Sequence, residues 1–161
     1  FQGDKAICDI LRSFGAEMIS KRRSVTVKAG AELHGAEIDA KDIPDLVPIL
    51  AVVAGAHHGA HFTDIRRLRL KETDRVATVC AMINALGAKA EATENTLTVH
   101  PSALTGGTVD AMNDHRIAMA AAVASCGCKS AVTITNAEAV KKSYPDFFKD
   151  FASLGGKVKE I

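Results

Sequence analysis

Tryptophan is absent from this 161-residue chain, tyrosine occurs once, and aromatic residues make up 4% of it. Binders of single-stranded nucleic acid stack bases on aromatic rings, so that class of partner is poorly served here and no nucleic acid is expected. Neither sign of charge dominates, with 20 Lys and Arg against 19 Asp and Glu, which argues against a general polyanion-binding surface. The longest apolar stretch, Leu46 to Ala56, is interrupted by Pro48 and is too short to span a bilayer, so no membrane association is expected. No stretch reads as a secretory leader. The four cysteines, Cys8, Cys80, Cys126 and Cys128, suggest no disulfide framework, which makes a reducing cytoplasm the natural compartment. Cys126-Gly127-Cys128 lacks a second pair of ligands, and His57, His58 and His61 read as the cap of a helix, so neither group is taken as a metal site and no cofactor is expected. No glycine-rich phosphate loop of the dinucleotide-binding or nucleotide-hydrolase kind is present.

What the chain does have is 47% apolar residues, enough for a proper core, and an internal repeat. Ile10 to Met18, Ile83 to Ala90 and Phe151 to Val158 share one design, in which an amphipathic helix ends at Gly15, Gly87 or Gly155 and the chain turns directly into a strand. The interval is roughly seventy residues. Between these landmarks the apolar pattern predicts strands at 24–28, 32–38, 60–65, 89–93, 96–100, 108–110, 132–135 and 157–161. It predicts helices at 45–56, 72–86, 115–125 and 145–154, with Glu94-Asn95 as a hairpin turn. The helices at 46–56 and 117–126 are apolar all round and rich in small residues, so other elements should enclose them. That predicts an α/β protein of α+β type with helices inside and sheets outside, unlike a doubly wound fold, whose helices coat a buried sheet.

Two charged words stand at the predicted helix starts, Lys71-Glu72-Thr73-Asp74-Arg75 and Asn113-Asp114-His115-Arg116. A helix N-terminus offers unpaired N–H groups and a partial positive charge, and Lys71, Arg75 and Arg116 add side chains that bind carboxylate or phosphate. Glu72 and His115 add groups able to move protons. Taken singly, either word also reads as capping and surface charge, and Asp74 and Asp114 read more naturally as caps and arginine partners than as catalysts. A compact anionic metabolite suits the pattern better than a polymer.

These two words, with Asp42-Ile43-Pro44-Asp45 and Lys142-Ser143-Tyr144-Pro145-Asp146-Phe147-Phe148, together resemble the EPSP synthase family of enolpyruvyl transferases in order and spacing, over about residues 3–161. The resemblance implies βαβαββ units packed around inward helices, three to each of two domains. Residues 1–161 would then be one partial C-terminal domain, with units at 17–87 and 88–161 and residues 4–16 as the last helix of a preceding unit. It implies transfer of an enolpyruvyl group from phosphoenolpyruvate to the 5-hydroxyl of shikimate 3-phosphate, with Asp45 as general base and Glu72 as proton donor and later acceptor. It also implies that Arg75, Arg116 and Lys142 clamp phosphoenolpyruvate, that Lys71 faces shikimate 3-phosphate, and that His115 orients the reacting groups or donates to phosphate. Arg67 stands where some members carry an asparagine contacting the shikimate phosphate, which leaves its role open. The family's Lys-Ser and Ser-Ser-Gln words have no counterpart, so the chain by itself, lacking the N-terminal domain, is expected to be inactive. Three other readings remain: a relative that transfers enolpyruvyl to a UDP-sugar, a non-catalytic RNA-binding βα-repeat module supported only by the arginines at 66, 67, 69 and 75, and a structural fragment with no ligand of its own.

Overall fold

The chain starts with a 3-10 turn, Gly3–Ala6, running into α1 (Ile7–Ser13) and a hairpin of β1 (Met18–Lys21) and β2 (Ser24–Val27). This computed structural model describes residues 3–71 and 73–161, with side chains from Lys5 onward. Next come β3 (Ala36–Asp39), α2 (Val47–Ala56), β4 (Ala60–Thr63), α3 (Arg75–Ala85), β5 (Lys89–Ala92) and β6 (Thr96–His100), so the order β-α-β-α-β-β runs once between Ala36 and His100. It begins again with β7 (Gly107–Asp110), α4 (His115–Ala124), β8 (Val132–Thr135) and α5 (Phe147–Ser153).

The central sheet has the order β3-β4-β6-β5. β3 and β4 are parallel and joined through α2, while β4 with β6 and β5 with β6 are antiparallel. A second parallel pair, β7 and β8, is closed in the same way by α4. Along β4 and β6 buried residues alternate with partly exposed ones, so one face of the sheet meets the core and the other meets water.

The helices lie inside, as their composition demands. Val47, Leu50, Ala51 and Ala54 of α2 and Ile117, Ala118 and Ala121 of α4 are wholly buried. The two helices pack on each other and α3 touches both. Small residues permit this close approach, and a larger side chain there would force the neighbours apart. No helix among the described residues is long and apolar enough to cross a membrane.

Two expected strands are corrected. The stretch 32–38 becomes strand only from Ala36, because its partner β4 starts at Ala60 and the register pairs Ala36 with Ala60. Residues 32–35 have no partner strand among the described residues. Residues 157–161 form none either: they are largely exposed and pair with no strand among the described residues. The glycine landmarks hold, with Gly15, Gly87 and Gly155 at φ of 96°, 92° and 103°, a conformation that costs residues with a Cβ.

At Gly87 the space is closed as well as the backbone unusual, since an added Cβ would meet the Thr105 side chain. Gly87→Ala should therefore cost at least about 1 kcal/mol. Gly127→Ala, where φ is not positive and nothing lies nearby, should stay within about 0.5 kcal/mol. Urea unfolding midpoints of the two variants check this.

Candidate functional site

The loop after β3 is pinned by burial of Ile43 and Leu46 and by hydrogen bonds from Ile43 N to Ala40 O (3.2 Å) and Leu46 N to Ile43 O (2.9 Å). α2 starts at Val47, with Pro48 in its first turn, and its cap position is Leu46, which makes no side-chain capping bond. Asp45 is thus not the cap that its place after Pro44 would suggest, and its carboxylate is directed elsewhere.

Two connections of one design bring lysines to the same end of the fold. After β4 the left-handed Asp64 (φ 52°) leads into a 3-10 helix, Ile65–Leu70, held by buried Ile65 and Leu68, and Lys71 follows. After β8 the left-handed Asn136 (φ 54°) leads into a 3-10 helix, Ala137–Lys142, held by buried Ala139 and Val140. Asp74 then caps α3, its Oδ1 accepting from Val76 N (3.1 Å) and Ala77 N (3.3 Å). Asp114 caps α4, its Oδ1 accepting from Arg116 N at 2.9 Å. Both capping roles agree with the reading from sequence.

These tips converge on Asp45. Its Oδ1 accepts from Arg75 Nη1 at 2.6 Å and lies 3.1 Å from Lys71 Nζ. Its Oδ2 lies 3.5 Å from Arg116 Nη2, and its backbone carbonyl accepts from Arg116 Nη1 at 3.1 Å. Behind them Arg75 Nε donates to Asp114 Oδ2 at 2.8 Å, and both of these side chains are 0% exposed. Lys142 Nζ donates to the carbonyl of Asn113, beside Asp114, at 2.6 Å. His115 occupies the first position of α4 with its Nδ1 shielded from water and without a hydrogen-bond partner among the described residues. Thr73 Oγ1, in the other charged word, is likewise shielded and unpartnered among the described residues.

The structure therefore brings Asp45, Lys71, Arg75 and Arg116 into contact, with Lys142 and His115 on the adjoining turn. Arg67 stands apart, donating to Lys41 O at 3.0 Å and lying 3.7 Å from Asp42 on the outer side of the Asp45 loop. Glu72 lies outside the described residues. Reading the sequence missed the carbonyl of Asn113 as the seat of Lys142. Its one signal was the asparagine itself, a residue type tolerant of the left-handed conformation that Asn113 adopts at φ 61°. Met112 just before it is also left-handed, at 49°, and nothing in its side chain announces this.

Half-burial by itself pushes the Asp45 carboxyl up, but the hydrogen bond from Lys71, the charge of Arg116 and the bond from Arg75 outweigh it, so its pKa lies below the ordinary aspartate value. Beside Asp45 and Arg116 is a cleft of about 160 Å³, otherwise walled by Leu46, Pro48, Ile49, Met119, Ala120 and Val123. A wider groove of about 320 Å³ lies on the sheet near Glu37, His58, His61 and His100. The smaller cleft is the better candidate because convergent charge, and not volume, is what an anion needs. Among the described residues no set of His, Cys, Asp and Glu is placed to hold a metal ion.

A family model described as EPSP synthase (3-phosphoshikimate 1-carboxyvinyltransferase) matches residues 1–151. The chain belongs to the EPSP synthase family. Its relatives include the 3-phosphoshikimate 1-carboxyvinyltransferase of Clostridium novyi, 45% identical over 161 residues, covering 99% of this chain and 37% of that protein. The same-named protein of Methanocella arvoryzae is 42% identical over 161 residues, covering 98% and 38%. The chain thus spans less than two fifths of the length of the curated relatives it matches. Among solved structures, an EPSP synthase from Acinetobacter baumannii superposes with a TM-score of 0.86 at 22% identity, covering 96% of this chain and 39% of that one. The enolpyruvyl transferase NikO from Streptomyces tendae gives 0.78 at 21%, covering 96% and 36%. These structural likenesses establish the fold of the EPSP synthase family for this chain.

Asp114→Asn would leave the Arg75 charge buried without its full partner and should cost about 3–5 kcal/mol, whereas Lys71→Met, at a partly exposed pair, should cost under about 1 kcal/mol. Chemical denaturation distinguishes the two. The sign of the pH effect follows from a depressed native-state pKa: the stability that Asp45 contributes is present above the unfolded value near 4 and is lost as pH falls through the native one. The stability gap between the wild type and Asp45→Asn should accordingly be widest above about pH 4 and close in stronger acid, as measured by urea unfolding at a series of pH values.

Proposed function

We propose that this chain forms part of the C-terminal domain of an enzyme that moves the enolpyruvyl group of phosphoenolpyruvate onto the 5-hydroxyl of shikimate 3-phosphate and releases phosphate. In this reading its units are 17–87 and 88–161, with residues 4–16 closing a preceding unit, and the reaction takes place in the cytoplasm. The observation carrying the proposal is the contact of Asp45 with Lys71, Arg75 and Arg116, three cations supplied by separate helix starts and connections.

The chemistry uses each of them. The 5-hydroxyl oxygen bonds to C2 of phosphoenolpyruvate while C3 takes up a proton, and the resulting adduct then loses phosphate from C2 and a proton from C3. Asp45 accepts the hydroxyl proton. Glu72 gives a proton to C3 and later takes one back. Arg75, Arg116 and Lys142 hold the phosphate and carboxylate of phosphoenolpyruvate, where forked guanidinium groups match paired oxygens. Lys71 faces the phosphate of the acceptor, while Arg67, turned towards Lys41 and Asp42, is given no contact with it. His115, with a shielded ring nitrogen lacking a partner among the described residues, orients the adduct or donates to phosphate. The rest of the enzyme supplies the other half of the acceptor site, so this chain alone is inactive.

The RNA-binding alternative loses much of its support because three of its four arginines are engaged within the chain. Arg69 holds Asp74 and Thr93 O, Arg67 holds Lys41 O, and Arg75 is buried.

The full-length gene product should release phosphate from phosphoenolpyruvate only when shikimate 3-phosphate is present, and the isolated 161 residues should not. Glu72→Gln should slow turnover by roughly 100-fold or more with substrate affinity changed by a few-fold at most. Undiminished turnover in that variant would overturn the assignment of Glu72.

A further inference from the structure

Asp45 is an unusual neighbour for three groups meant to receive anions, because it already satisfies them. Its Oδ1 is shared between Arg75 and Lys71, at 2.6 and 3.1 Å, and its Oδ2 faces Arg116 at the long distance of 3.5 Å. The three cations are not equivalent. Arg75 is sealed from solvent and has a second carboxylate, Asp114, on its Nε. Lys71 and Arg116 retain 25% and 28% of their side-chain exposure. Arg116 meets Asp45 twice, its Nη1 donating to the Asp45 carbonyl at 3.1 Å and its Nη2 lying 3.5 Å from the carboxylate.

We propose that the Asp45 carboxylate is an internal competitor for the substrate's anionic groups: it engages Lys71 and Arg116, and a phosphate or carboxylate oxygen must take these two cations from it while Arg75 stays fixed on Asp114. The inference rests on the functional reading above and deepens it. A phosphate dianion carries more charge than one carboxylate and has more oxygens to offer, so each substrate's phosphate wins the cation it meets when it arrives. Competition lowers affinity for stray anions, each of which must displace Asp45 before it can bind. It also times the chemistry. As Lys71 and Arg116 leave, Asp45 gains proton affinity at the moment the hydroxyl must lose its proton.

The test is equilibrium binding of inorganic phosphate to the full-length protein at fixed ionic strength, by calorimetry. Asp45→Asn should bind phosphate roughly tenfold more tightly than wild type, since one unit charge at contact distance is removed. Lys71→Met should weaken binding, and the double variant should return towards the wild-type affinity. Asp42→Asn, at an exposed carboxylate outside the cluster, should change affinity less than about twofold. Unchanged or weaker binding by a folded Asp45→Asn protein, or an equal gain from Asp42→Asn, would overturn the proposal. In the wild-type protein the Lys71 ammonium resonance should shift as phosphate saturates the site, and its constancy would overturn the proposal even if Asp45→Asn failed to fold. Absent turnover with these affinity changes intact would count against enolpyruvyl transfer and leave the exchange standing.

Discussion

A guanidinium and a carboxylate, Arg75 and Asp114, lie wholly buried at the meeting of α3 and α4, and the arrangement of the site depends on them. Removing two charges from water costs several kcal/mol each, so such a pair persists only when its remaining hydrogen-bonding capacity is met. Here Arg75 reaches Asp114 through Nε and Asp45 through Nη1, while the second oxygen of Asp114 takes the first-turn amide of Arg116. One carboxylate thus fastens the start of α4 to the start of α3. The other ties both to the loop before α2. The tips of three helices are fixed relative to one another by charge-assisted bonds in a setting where water competes poorly.

This arrangement explains why residues so far apart in sequence meet at one place. Each tip is the end of a connection leaving the sheet, and in open α/β layers such connections gather beyond the strand ends, where ligands bind. The interior helices contribute only apolar bulk. Their role is to hold the charged ends in register, and their small residues let α2 and α4 approach closely enough to do so. The cleft beside Asp45 and Arg116 has apolar walls for the same reason, being the first gap between those helices as they emerge from the core.

Much of this was legible in the residues. Helices without a polar face had to be interior, and the glycines at 15, 87 and 155 marked helix ends because their backbone angles favour a residue lacking Cβ. The charged words stood at helix starts, and Asp74 and Asp114 proved to be caps. What escaped were features set by partners and not by the local chain. Residues 32–35 alternate like a strand yet pair with no strand among the described residues, and 157–161 likewise. Asp45 follows a proline and reads as a cap, but α2 starts two residues later and releases its side chain. The seat of Lys142 is a backbone carbonyl, which no side-chain pattern can indicate. Arg67 looked like part of the basic group, and it turns instead towards Lys41 and Asp42.

The parallel pairs β3 with β4 and β7 with β8 carry a consequence for how the protein forms. Strands of this kind cannot be zipped from a tight turn; each must wait for its helical crossover to fold back. Asp45 and Arg116 sit within those two crossovers, and Arg75 begins the helix that leaves β4. The ion cluster can therefore close only once both crossovers have folded back onto the sheets. Helices, built from local contacts, can form in the nascent chain before these crossovers bring the charged tips together.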